Sequence, residues 1–152
     1  ILSLPPDAPA TSSVLAQMME EGFPEEYIAP VLGTIPNNTQ LFSMPFDHIF
    51  FTGSPRVGKI VLAAAAENLT PVTLELGGKS PCIVEETADL ALAARRIVWG
   101  KCLNAGQTCV APDYLLVQDT VKNELVARMQ EEMRRQYPVN MMENPEYPRI
   151  VN

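Results

Sequence analysis

A carboxylate and a thiol are the residues of this sequence whose placement best suits chemistry. Glu75 follows a short apolar run, Val72 to Leu74, and leads into the flexible pair Gly77-Gly78. Cys109 lies 34 positions further on and ends the stretch Asn-Ala-Gly-Gln-Thr-Cys, where a helix-like run breaks. Strand ends and helix breaks display catalytic groups well, because rigid elements hold them while open backbone lets a substrate approach. The pair fits covalent catalysis, with the thiol attacking a carbonyl and the carboxylate handling protons. Each has a plainer reading too. A cysteine is most often a buried, inert residue, although the polar, glycine-containing approach to Cys109 does not look like a core position. Glu75 could equally be a strand-end carboxylate in a solvated ion pair.

A third candidate lies upstream. His48 to Thr52 reads as a strand, Gly53-Ser54-Pro55-Arg56-Val57-Gly58 as a tight turn, and Lys59 to Glu67 as an alanine-rich helix. Strand, glycine turn and helix bring backbone N–H groups and the positive helix end to one point, where a pyrophosphate could sit. The motif is weak by itself. It lacks the middle glycine of the dinucleotide fingerprint, and Lys59-Ile60 is not the Lys-Ser/Thr of a phosphate loop. A purely structural strand–turn–helix would look the same.

Other elements must hold these groups in place. Ile1 to Leu4 reads as a strand tail ended by Pro5-Pro6. A helix follows, capped at Thr11 or Ser12, with Val14, Leu15, Met18 and Met19 on one face and Gly22 as its stop. Tyr27 to Leu32 is a second apolar run, and Asn37-Asn38 is expected to cap a short helix to about Ser43. Pro81 to Val84 is a strand, and Asp89 opens a helix to about Leu103 with Leu90, Ala94, Ile97 and Val98 on one face. Tyr114 to Val117 is another strand. Thr120 is expected to cap a helix to about Gln136, with Val121, Leu125, Val126, Met129 and Met133 at helical spacing. Strands alternating with helices indicate an α/β fold with a mainly parallel sheet.

Composition narrows the function. In a chain of 152 residues, 47% hydrophobic residues supply one sizeable core, and a net charge of −7 with dispersed charges argues against a nucleic-acid surface. Glu20-Glu21, Glu25-Glu26 and Glu131-Glu132 read as solvated faces. No apolar run approaches the roughly 18–20 residues that span a bilayer, and no leader pattern is visible. The three cysteines form no CxxC pair, which disfavours a metal site or a disulfide framework and favours reduced, intracellular thiols. Cys82 and Cys102, inside apolar elements, read as structural. His48 is the only histidine and reads as a core or strand-edge residue.

Two longer stretches, LTPVTLELGGKSPCIV and NAGQTCVAPDY, together with FTGSPRVGK, resemble the NAD(P)-dependent aldehyde dehydrogenases, most closely the class 3 and fatty-aldehyde branch. The resemblance covers nearly the whole chain. It implies a partial Rossmann-like parallel sheet joined to the start of an α/β catalytic domain: residues 1–77 as the second half of a dinucleotide-binding domain, 78–152 as the start of the thiol-bearing domain. Cys109 then matches the nucleophile, with its own N–H as one oxyanion donor, and Glu75 the general base that activates water. Partial burial between Leu74 and Leu76 would suit that base. Gly53, Ser54, Pro55, Arg56, Val57 and Gly58 match the cofactor loop for NAD or NADP, and Leu76 and Gly77 line the same cofactor.

At the position where the family usually has a ribose-contacting lysine, this chain has Ser3. That departure should weaken cofactor binding and leaves NAD versus NADP preference open. The family's second oxyanion donor, an asparagine, would lie upstream of Ile1, so the chain reads as an internal fragment. The resemblance also implies a small-molecule aldehyde substrate, of medium or long aliphatic chain or aromatic, a homo-oligomeric parent, and a cytoplasmic or membrane-associated location. A non-catalytic truncated or decayed relative is the alternative. A cysteine hydrolase, which would need His48 to activate Cys109, is the weaker rival.

Overall fold

The computed structural model describes residues 1–151, with side chains throughout except at 35–37. The chain divides into two compact units, Ile1–Glu75 with Val151 in the first and Leu76–Ile150 in the second. Both alternate strand and helix, as the apolar runs and their punctuation predict.

In the first unit the order is β1 (Leu2–Leu4), α1 (Pro9–Gly22), β2 (Pro30–Leu32), α2 (Ile35–Phe42), β3 (Ile49–Gly53), α3 (Pro55–Ala66) and β4 (Val72–Leu76). β1 and β2 run parallel, with Leu2 opposite Pro30 and Leu4 opposite Leu32. β3 pairs with β4. Leu4, Ala16, Val61 and Ala65 are buried, and two polar residues join them because each finds a partner: Ser12 Oγ donates to the Pro5 carbonyl at 2.8 Å and Thr70 Oγ1 to the Phe46 carbonyl at 2.9 Å. A buried hydroxyl without a partner would be costly. Phe42 and Phe51 meet edge to face at 6.3 Å between centroids.

Proline shifts several boundaries away from the sequence expectation. α1 starts at Pro9, not after a Thr11 or Ser12 cap, and Ser12 faces inward with Leu15, Ala16 and Met19; Val14 and Met18 point to solvent. α3 likewise starts at Pro55, whose fixed φ and missing N–H suit a first helical position. The expected six-residue turn is therefore only a bend at Gly53-Ser54, and Gly58 is buried inside the helix. Asn37 and Asn38 lie within α2 and do not precede it.

The second unit is a strand–helix–strand–helix module: β5 (Ser80–Val84), α4 (Leu90–Cys102), β6 (Pro112–Val117) and α5 (Asp119–Gln136). β5 and β6 are parallel and pair from Ser80 opposite Pro112 to Val84 opposite Val117. The register slips by one residue after Ser80 and leaves Asp113 without a partner in the ladder. Pro81, which has no N–H to give, sits at that irregularity. Asp89 caps α4 by accepting from the Ala91 and Leu92 amides at 3.0 and 3.1 Å. The face at Leu90, Ala94 and Ile97 buries against Val84 and Leu125, with Cys82, Leu115, Val117, Val121 and Met129 around them. α5 starts at Asp119 after Gln118, so Thr120 lies inside its first turn, and Val126 is exposed. The described strands thus form three two-stranded sheets and not one, within an α/β architecture.

Leu125 is fully buried, whereas Val126 is 47% exposed. Leu125→Ala should therefore cost about 2–5 kcal/mol through lost contacts and a residual cavity. Val126→Ala should stay within about 0.5 kcal/mol, as most surface changes do. Urea titration followed by circular dichroism measures both, and equal losses would contradict this packing.

Candidate active site

The thiol owes its position to how α4 ends. After Cys102 the chain leaves the right-handed helix, and Asn104, Ala105 and Gly106 take φ of 53°, 54° and 77°. Three consecutive left-handed residues reverse the chain sharply. Asn and Gly enter this region readily, but Ala105 costs on the order of 1–2 kcal/mol there. Gln107 holds the reversal: its backbone N–H donates to the Asn104 carbonyl at 3.1 Å, its side-chain amide to the same oxygen at 3.0 Å, and the Asn104 amide returns to the Gln107 carbonyl at 3.2 Å. The Gln107 amide also reaches the Arg149 carbonyl at 3.1 Å. The break expected from Asn104-Ala105-Gly106 is present, and its polar residues fasten one another.

Cys109 then sits in a turn closed by the Ala111 N–H on the Thr108 carbonyl at 3.1 Å. Ala111 is buried while Cys109 and Val110 are exposed, so the turn is anchored at one side and open at the thiol. A second anchor grips the Cys109 carbonyl. Ser80 Oγ donates to it at 3.1 Å, and the Gly78 backbone lies so close that any Cβ there would run into the same oxygen. Asp113, the residue extruded from the β5–β6 ladder, lies 3.5 Å from both Lys79 and Lys101. Bulges redirect side chains in this way next to functional sites. The contributions of Gly78, Ser80 and Asp113 were not foreseen from sequence. The available signal was Pro81 at a strand start, which marks a break in the ladder.

The other two cysteines sit in different surroundings. Cys82 is half-buried against the core of the second unit. Cys102 is buried, with its Sγ 3.7 Å from Met133 Sδ. Burial pushes the Cys102 thiol above its ordinary range, partly offset by a hydrogen bond with Tyr137 and the charge of Lys101.

In the first unit Glu75 is the penultimate residue of β4 and is exposed, alternating with half-buried Leu74 and Leu76. The expected partial burial is not met, because period-two alternation turns Glu75 to the face opposite those leucines. Thr73 shares its face and meets His48 Nε2 at 3.1 Å, which occupies the only histidine of the chain in pairing the ends of β3 and β4. Gly77 has open space about it, and Leu76 ends the strand.

The glycine segment forms a helix N-terminus. Ser54 caps α3, its Oγ accepting the Val57 N–H at 3.3 Å, and its carbonyl accepts the Gly58 N–H at 2.9 Å. Arg56 is exposed on the first turn, and Val57 is half-buried. Gly53 has a packing reason of its own, because the Phe51 ring occupies the space a Cβ would need. Ser3, at the centre of β1, donates to Asn38 Oδ1 at 2.8 Å. Among the described residues no group of three or more His, Cys, Asp or Glu could hold a metal ion.

These environments order the thiols. Under limited iodoacetamide, peptide mass mapping should find Cys109 modified first, Cys82 later and Cys102 last; early labelling of Cys102 would contradict its burial. The raised Cys102 ionisation also makes stability pH-dependent. The unfolded thiol ionises near pH ~8.5, so this contribution is full below that value and lost as pH rises through it toward the folded thiol's range. Cys102→Ala should flatten that alkaline loss in a pH series of urea midpoints. At the turn, Gly78→Ala should cost about 1–3 kcal/mol, as overpacking does, while Gly77→Ala stays within about 0.5 kcal/mol; thermal melts distinguish them.

With the geometry in place, comparison with known proteins is informative. The aldehyde dehydrogenase family matches residues 1–147. The 4,4'-diaponeurosporen-aldehyde dehydrogenase of Staphylococcus aureus is 50% identical over 144 residues, which cover 95% of this chain and 31% of that protein. The dimeric NADP-preferring aldehyde dehydrogenase of Mus musculus is 45% identical over 141 residues, 93% of this chain and 31% of its own length. A solved structure of the substrate-bound state of Staphylococcus aureus AldH superposes with a TM-score of 0.89 at 47% identity, over 99% of this chain and 33% of that one. The chain therefore spans about a third of the length of the relatives it matches. A match over nearly all of its residues, with the fold to accompany it, makes this chain a member of the aldehyde dehydrogenase family.

Proposed function

We propose that the protein carrying this chain oxidises an aldehyde to a carboxylic acid with NAD or NADP, and that Cys109 is its nucleophile. The observation that carries the reading is the exposed Cys109 thiol on a turn fixed at its own carbonyl by Gly78 and Ser80, within the span that matches the family. A nucleophile needs both access and a fixed backbone.

The thiolate of Cys109 attacks the aldehyde carbon to give a thiohemiacetal, whose oxyanion accepts a hydrogen bond from the Cys109 N–H. NAD or NADP, held at the first turn of α3, would supply the hydride acceptor through which the adduct on Cys109 becomes a thioester. Glu75 removes a proton from water, the water oxygen attacks the thioester carbon, and the C–S bond breaks to release the acid and restore the Cys109 thiolate, with the proton on Glu75 passing to solvent. Its exposure on β4 leaves the carboxylate open to water.

For the cofactor, the end of β3 and the first turn of α3 offer a fitting donor set. The positive helix end, the Ser54 hydroxyl and the exposed Arg56 guanidinium suit a diphosphate, with Gly58 buried behind them in α3. Gly53, Pro55 and Val57 shape this bend, with Leu76 and Gly77 assigned to the nicotinamide side. Ser3 takes the ribose position and offers only a hydroxyl already shared with Asn38. The first unit then serves as the second half of a dinucleotide-binding domain, and the second as the start of the catalytic domain.

The class 3-like motifs point to medium- or long-chain aliphatic or aromatic aldehydes, and the dimeric mouse relative supports a homo-oligomer. No helix among the described residues is long and apolar enough to cross a membrane; we place the protein inside the cell, in the cytoplasm or at a membrane. A cysteine hydrolase is disfavoured because His48 is engaged with Thr73. A decayed, non-catalytic chain is disfavoured by the retention of both Cys109 and Glu75.

In the full-length protein, Cys109→Ala should abolish NAD(P)H formation, including any first-turnover burst. Glu75→Gln should allow at most one NAD(P)H per site while steady turnover falls by about 10²–10⁴, as for a lost general base. Rapid-mixing absorbance separates the two, and normal steady turnover in Glu75→Gln would remove Glu75 from the mechanism. The 152-residue chain by itself should show no measurable aldehyde oxidation, since a single missing oxyanion donor already costs about 10²–10³ in rate. Cys109-dependent turnover by that chain would contradict this.

A further inference from the structure

We propose that Ser80 is a positioning residue for Cys109, acting through the Cys109 carbonyl; the catalytic part of the proposal rests on the nucleophile reading above. The turn that bears the thiol is exposed at Cys109 and Val110 and buried at Ala111. Its backbone bond from Ala111 to Thr108 closes the turn but does not orient it. The orientation comes from the strand beside it. Ser80 Oγ donates to the Cys109 carbonyl at 3.1 Å from the first residue of β5, and the side-chain-free backbone of Gly78 closes on the same oxygen.

Holding that carbonyl fixes ψ of Cys109 and the following peptide plane, so the Cα–Cβ bond keeps one direction and Sγ retains only its χ1 rotation. The segment is itself held at both sides of Ser80. Lys79 reaches Asp113, which also meets Lys101 at the end of α4, and Ser80 is in register with Pro112. Ser80 therefore links a strand to a solvent-exposed turn with one hydroxyl. Angular precision at the nucleophile is what near-attack geometry demands.

The test compares wild type with Ser80→Ala and Ser80→Thr. In this chain, hydrogen exchange at the Ala111 amide should quicken roughly three- to tenfold in Ser80→Ala, the factor expected for one lost hydrogen bond. Amides of α4 should be unchanged, and Ser80→Thr, which keeps the hydroxyl, should restore the wild-type rate. In the full-length protein, kcat for aldehyde oxidation should fall roughly tenfold in Ser80→Ala with KM within about twofold, and again recover in Ser80→Thr. Unchanged Ala111 exchange overturns the proposal, as does equal quickening throughout α4, which would mean general loosening. Unchanged kcat despite faster exchange overturns the catalytic part. If Cys109→Ala keeps full activity, the nucleophile reading fails instead, while the exchange result still decides whether Ser80 orients the turn.

Discussion

Much of the second unit depends on the close approach of the Gly78 backbone to the Cys109 carbonyl. The two segments lead into the neighbouring parallel strands β5 and β6, and only a residue without a Cβ lets them meet. Once they meet, Ser80 can reach the same oxygen, Pro112 falls opposite Ser80, and the ladder must slip to continue past Pro81. The slip expels Asp113, which becomes the shared partner of Lys79 and Lys101. Exposed ion pairs of this kind contribute little stability, about 0–1 kcal/mol each. Their value is directional: they tie the strand, the bulge and the end of α4 at one place.

The same economy governs the reversal after α4. A helix that ended in an ordinary cap would send the chain away from β5, whereas three left-handed residues return it at once. The strain at Ala105 is local and is met by the reciprocal bonds of Asn104 and Gln107. Below this, α4 is held by the core of Val84, Leu90, Ala94, Ile97 and Leu125, so the strained turn has a rigid base. Such strain persists only where the surroundings over-determine the backbone, a pattern common at functional sites.

Local pattern made a good part of this legible. The buried face of α4, its Asp89 cap, the break at Asn104 to Gly106 and the strands around Cys82 and Leu115 all follow from spacing and residue type. Helix starts were less legible, because Pro9 and Pro55 serve as first helical residues and were read as loop or turn. Which apolar residues face inward also escaped the pattern: Val14, Met18 and Val126 keep helical spacing but are exposed. Glu75 shows the limit most clearly. Flanking leucines implied burial, but strand alternation places them on the other face. The Ser80 and Asp113 contacts join residues about thirty positions apart, so only the fold reveals them.

The central claim is that the substrate's acyl group rests on Cys109 during turnover. The most direct measurement is peptide mass mapping of the full-length protein, acid-quenched during steady oxidation of an aldehyde of known mass with NAD(P). The account predicts an adduct of the aldehyde mass less two hydrogens, confined to the peptide that contains Cys109 and lost on treatment with hydroxylamine. An adduct on Cys82 or Cys102, or oxidation proceeding with Cys109 unmodified at every quench time and undiminished in Cys109→Ala, would contradict it.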